Sequence, residues 1–202
     1  MNSLLKLIVK TVFFLCVFVY AQNFKGDDLA RYAFERTKKN IQYNSQYFSI
    51  DYPGGDIPKQ YGVCTDVLIR SLRKLGIDLQ KLVHEDMTAN FSSYPSKKNW
   101  GLTKADKNID HRRVPNLQTF FKREGKARPI TQNSSDYLPG DIVTWNLASE
   151  KKSIPHIGIV SQFKSKDGVP LVVHNIGQGV KLENILFAYS ITGHYRYFPR
   201  LN

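Results

Sequence analysis

The hydrophobic period changes partway along this chain, and that change restricts the fold more than any other feature. Up to about residue 125 the pattern is helical. Leu29, Tyr32, Ala33, Thr37 and Ile41 recur at three- and four-residue spacing in "GDDLARYAFERTKKNIQY" (26–43), as do Val67, Leu68, Leu72 and Leu75 in 64–75. Gly76 stops the second of these helices, and a shorter one is expected over "DLQKLVHEDMTANF" (78–91). "VPNLQTFFKREG" (114–125) is a further helix, with Pro115 in its first turn and Gly125 as its stop. "YPGGDIPKQYG" (52–62) reads as loop, and residues 92–110 as irregular chain. Beyond residue 140 the runs shorten to "DIVTWNL" (141–147), "HIGIVSQF" (156–163), "PLVVHNIG" (170–177) and "GHYRYFPR" (193–200). They are β-branched or aromatic and broken by turn formers, and Asp167-Gly168 marks a hairpin between the second and third. Helices followed by strands predict an α+β fold, with N-terminal helices packed on a C-terminal antiparallel sheet. No repeat or linker divides residues 22–202, so one domain is expected there.

The first 21 residues are read separately. Lys6 and Lys10 precede the apolar run "TVFFLCVFVYA" (11–21), and Val19-Tyr20-Ala21 resembles a cleavage site. This is the layout of an export leader, with an uncleaved anchor as the alternative. Cys16 follows Leu15, where lipid attachment requires a small residue. With the leader removed no membrane insertion is expected. The formal net charge is +12, of which the leader lysines supply two. Outside a cytoplasm such charge favours an anionic partner such as peptidoglycan or another cell-wall polymer. The basic residues are dispersed and form no nucleic-acid motif, so nucleic acid is not an expected partner. A monomer is expected.

Without the leader one cysteine remains, Cys64, in "YGVCTDVLIRSLRKLG". A lone cysteine is either a small buried hydrophobe or a reactive thiol. Its position at a helix start favours the thiolate, because the unsatisfied N–H groups and the helix dipole there attract negative charge. Asp66 can cap the same helix, although its charge opposes a neighbouring thiolate. A nucleophile also needs a base. His156 opens "HIGIV" and His174 lies near the end of "LVVHN"; a hairpin across Asp167-Gly168 would bring both to one end of adjacent strands. Such histidines are also common as structural residues. His84 and His111 have acidic neighbours, but no pair of residues has close metal-ligand spacing, and neither metal nor cofactor is expected.

The blocks "GVCTDVLIRSLRKLGIDLQKLVHEDM", "NWGLTKADKNIDHRRVPNLQTFF", "PGDIVTWNL", "PHIGIVSQ", "LVVHNIGQG" and "TGHYRYF" resemble the bacterial family grouped as domain of unknown function 1287. More distantly the chain is similar to the NlpC/p60 class of papain-like cell-wall peptidases. That resemblance implies a papain-like fold and a cysteine hydrolase with Cys64 as nucleophile, His156 as general base and His174 as the orienting residue. Val63-Cys64-Thr65-Asp66 departs from the Asp-Cys-Ser-Gly usual in that class, so a different substrate pocket is implied.

Asn175 is a second choice for the orienting role, or a substrate contact. Arg112 and Arg113 can grip the carboxylates of stem peptides, the alternative being a surface charge and an ion pair with Asp110 or Asp106. Trp145 can line a groove, or pack in the core. Two other functions fit the same text: a non-catalytic wall-binding module, and a thiol acyltransferase that resolves its acyl-enzyme with an amine.

Overall fold

The computed structural model describes residues 26–148 and 153–197; the expected leader and Cys16 lie outside them, as does the end of the last predicted strand. Helix α1 covers 26–36, shorter than the periodicity predicts. Two-residue strands β1 (Gln42–Tyr43) and β2 (Tyr61–Gly62) pair in parallel. Helix α2 (Cys64–Arg73) follows at once, then α3 (Leu79–Ala89), the short α4 (Ser96–Trp100) and α5 (Val114–Arg123). The second half supplies β3 (Ile142–Asn146), β4 (Pro155–Lys164), β5 (Pro170–His174), β6 (Lys181–Glu183) and β7 (Ser190–Tyr195). These form one antiparallel sheet in the order β6-β5-β4-β3-β7. The α+β architecture is the expected one. Strands β1, β2 and β6 were not expected, because two- and three-residue runs carry no period to read.

Each predicted helix has a local cause. Asp78 caps α3 by accepting the N–H groups of Gln80 and Lys81. In α5, Pro115 occupies the first turn, where its missing N–H costs nothing. The β4–β5 hairpin closes as expected, with Gly168 at φ +78°.

Helix α2 is the centre of the molecule, and it is not the half-solvated amphipathic helix its sequence suggests. Val67, Leu68, Ile69 and Leu72 are buried, and so are Asp66, Arg70 and Ser71. Apolar side chains of this size contribute about 1.5–3 kcal/mol each when buried. The polar ones are satisfied by neighbouring chain. Asp66 accepts the Val63 N–H at 2.7 Å and takes two bonds from Arg112, at 3.0 Å each. Arg70 binds Asp56 and the carbonyls of Ile57 and Tyr61, which fastens the 52–62 loop.

The sheet carries a core on each face. Ile142, Ile157, Ile159, Val173 and Tyr195 meet the helices, with Cys64 among them. The opposite face holds Tyr137, Val143, Trp145, Val160, Val172 and Leu186. Trp145 is therefore a correction to the groove reading. Its side chain is 0 % exposed, and its indole N–H donates to the Leu186 carbonyl. Alternation along β3 turns it inward. No helix among the described residues is long and apolar enough to cross a membrane.

Candidate active site

Cys64 is the first residue of α2, with Val63 in extended conformation before it. Its sulfur lies against the backbone N–H groups of Ile157 on β4, of Thr65 and of Cys64 itself. Those donors favour a thiolate. Burial opposes them and prevails: the thiol is pushed up to about 12, with the Asp66 charge adding to the shift. The expectation of a thiol acidified by the helix terminus is reversed in this closed state.

The two histidines stand as expected at one end of adjacent strands. His156 Nε2 lies 3.3 Å from His174 Nδ1, and the rings are perpendicular at 5.2 Å between centroids. The Trp145 indole flanks His156 at 5.9 Å, so the pair sits under an apolar cover. Gly158 makes this contact possible. A Cβ there would come within 2.7 Å of Val172 Cγ1 and 3.2 Å of His174 Cβ, so any side chain would push β5 away. Burial, with His174 adding to it, pulls the His156 imidazole down to about 3. His174 is also lowered by burial, while Glu183 raises it and Lys181 lowers it further.

Cys64 belongs to the helix-side core, whereas His156 and His174 lie on the other face with Trp145. The thiol thus meets the start of β4 through the Ile157 backbone, while the His156 imidazole leaves the same strand on its other face. Among the described residues no hydrogen bond joins Cys64 to His156, and none is formed by His156 Nδ1. The site holds a neutral thiol on one face of β4 and a neutral imidazole pair on the other.

The expected substrate contacts divide. Asn175 is buried and occupied: its amide donates to the Gly62 carbonyl at 3.3 Å and accepts the Gly177 N–H at 3.0 Å. It clasps the end of β5 to the loop before Cys64, and no hydrogen bond joins it to His156 among the described residues. Arg112 is likewise spent on Asp66 and on the carbonyls of Gln46 and Asn44. Arg113 remains open. Its guanidinium lies 4.1 Å over the Trp100 ring, with only a long contact of 3.5 Å to Asp110. Both arginines border a cleft of about 270 Å³ that also meets Tyr43, Ser45, Cys64 and Trp100.

Two residues escaped the sequence reading. Ile157 sets its backbone N–H against the sulfur, a role no side-chain pattern reveals. Glu183 brings Oε2 within 2.9 Å of His174 Nε2. It sits in "KLE", too short a run for alternation to disclose. His84 packs edge-on against Tyr52 at 5.0 Å, and His111 is buried and pulled down to about 3, chiefly by that burial. Both lie away from the cleft.

Comparison with known proteins follows from this geometry. The chain is 54 % identical over 158 residues to "Uncharacterized protein YijF" of Escherichia coli (strain K12), covering 78 % of this chain and 75 % of the relative. Among solved structures it is similar to NlpC1 from Trichomonas vaginalis, with TM-score 0.47 and 14 % identity, over 87 % of this chain and 45 % of that one. It therefore spans under half the length of that structure. It is also similar to an N-acetylmuramoyl-L-alanine amidase from Bacteroides uniformis ATCC 8492, with TM-score 0.48 and 13 % identity, over 84 % and 98 % of the two chains. A family model matches residues 30–197, and the chain belongs to that family, described as domain of unknown function DUF1287.

Proposed function

We propose that this chain is an exported thiol hydrolase that cleaves amide bonds in peptidoglycan stem peptides through a covalent acyl-enzyme. One observation carries the reading: a thiol on the first turn of a helix lies against the backbone N–H of Ile157, the residue that follows His156, whose imidazole is bonded to a second imidazole. Substrate entering the cleft frees Cys64 from the Ile157 N–H, and its proton passes to His156 Nδ1. The sulfur then bonds to the amide carbonyl carbon, and the displaced electron pair rests on oxygen near the N–H groups at the start of α2. Collapse breaks the C–N bond, and the departing amine takes the proton from His156. Water, deprotonated by the same imidazole, cleaves the thioester and restores the thiol. The leader-like N-terminus and the net positive charge support a wall substrate, and Arg113 over Trp100 is suited to a stem-peptide carboxylate.

The missing Cys64–His156 bond favours a second reading, a wall-binding module on the same scaffold. Purified peptidoglycan incubated with the wild-type chain and with Cys64→Ala and His156→Ala separates the two. A hydrolase releases fragments with new amino and carboxyl ends, and each variant loses at least about a thousandfold in rate while still sedimenting with the wall. Equal retention of all three chains with no release from any would assign the fold to binding.

A further inference from the structure

We infer that Glu183 is a positioning residue that completes a chain His156–His174–Glu183 and sets which nitrogen of each imidazole carries the proton. The inference rests on the hydrolase reading and extends it to a residue outside the expected three. Glu183 Oε2 is 2.9 Å from His174 Nε2, a nitrogen otherwise unpartnered and buried, although the approach is out of line for a full hydrogen bond. A carboxylate only accepts, so it holds hydrogen on His174 Nε2 and leaves Nδ1 as an acceptor. His156 Nε2, 3.3 Å from that Nδ1, must then be the donor. The one lone pair left in the chain is on His156 Nδ1, the nitrogen free of partners and the one that the proposed mechanism uses as base. Without the carboxylate, either tautomer of His174 would serve, and half of them would place a hydrogen where His156 needs an acceptor.

The strand supplying this carboxylate has its own logic. In β6, Lys181 stands opposite His174 in register and Glu183 opposite Val172, so both side chains share the face of His174. The titratable and charged groups facing His174 are His156 from β4, Lys181 and Glu183 from β6, and Tyr189 from the segment beyond. Lys181 is drawn to Gln178 at 2.7 Å, which leaves Glu183 as the nearer charge. Glu183 is 43 % exposed at the edge of a groove of about 580 Å³, so its substitution does not open the core.

Glu183→Gln and Glu183→Asp would be compared with the wild-type chain by imidazole nitrogen NMR across pH and by peptidoglycan hydrolysis. The wild type is expected to carry hydrogen on His174 Nε2. Glu183→Gln should lower the His174 titration midpoint by about one unit and kcat about tenfold at neutral pH, with KM unchanged. Glu183→Asp should restore part of both. Unchanged proton position and midpoint in Glu183→Gln overturn the inference, whatever the hydrolysis assay reads. The NMR change with no hydrolysis by any chain would leave Glu183 in its role and remove the hydrolase reading instead.

Discussion

At the scale of single residues, opposing effects meet at Cys64. Three N–H groups favour the thiolate and burial disfavours it, and burial wins in the closed state. Alkylation of the folded chain at pH 8 is therefore expected to run at least about a hundredfold slower than that of a free cysteine, and to rise about tenfold per pH unit toward 12. Labelling at the free-thiol rate near neutral pH would mean that the closed state is not the resting one. The sequence disclosed the position of this thiol correctly, since a Gly- and Pro-rich loop before a marked helix leaves little choice. It could not disclose the thiol's ionisation, which depends on packing against β4. The partners of Arg112 and Asn175 escaped the sequence for a related reason. The chemistry of these two side chains suits a substrate, but their partners Asp66 and Gly62 lie far along the chain, and only tertiary structure reveals that they are occupied.

At the scale of elements, the β4–β5 hairpin carries the site. Its existence was legible from Asp167-Gly168, but not its register, because an irregularity between Val160 and Lys164 shifts the pairing before it reaches the two histidines. Strand β6, which brings Glu183, was not legible. Gly158 is the point on which the hairpin depends. Gly158→Ala should cost about 1–3 kcal/mol, as an overpacked strand does, and should separate His156 from His174. Urea unfolding would read the first effect and loss of the histidine coupling in NMR the second. An alanine variant with wild-type midpoint and coupling would show that β5 yields freely. Helix α2 was legible in extent but not in environment: periodicity marks its apolar face and says nothing of the partners that bury its polar one, Arg112 for Asp66 and Asp56 for Arg70.

For the whole molecule, the order of periods was sufficient for the α+β class, since a sheet of short antiparallel strands and a preceding set of helices can bury their apolar faces only against each other. What escaped was the second core beneath the sheet, where Trp145 lies. A strand run apolar on both faces does not say what covers either. Stability should fall in acid for an identifiable reason. His111 and His156 are held neutral down to about 3, while unfolded imidazoles take up protons below about 6.5. The unfolded chain thus binds more protons as pH falls through that window, and stability declines by as much as about 1.4 kcal/mol per pH unit for each histidine. Carboxylates held low by ion pairs, such as Asp86 beside Arg123, act in the same direction at lower pH. Urea midpoints measured from pH 7 to pH 4 should drop steadily, and a flat profile would contradict the burial of both imidazoles.

The burial of Cys64 also bears on durability. Oxidants and disulfides react with thiolates, and they need access to the sulfur. A sulfur kept protonated and only 7 % exposed presents neither. An idle molecule would keep its thiol intact through long exposure to an oxidising medium, and under the proposed mechanism the moment of vulnerability would coincide with the moment of work, when an occupied cleft would draw the sulfur away from the Ile157 N–H.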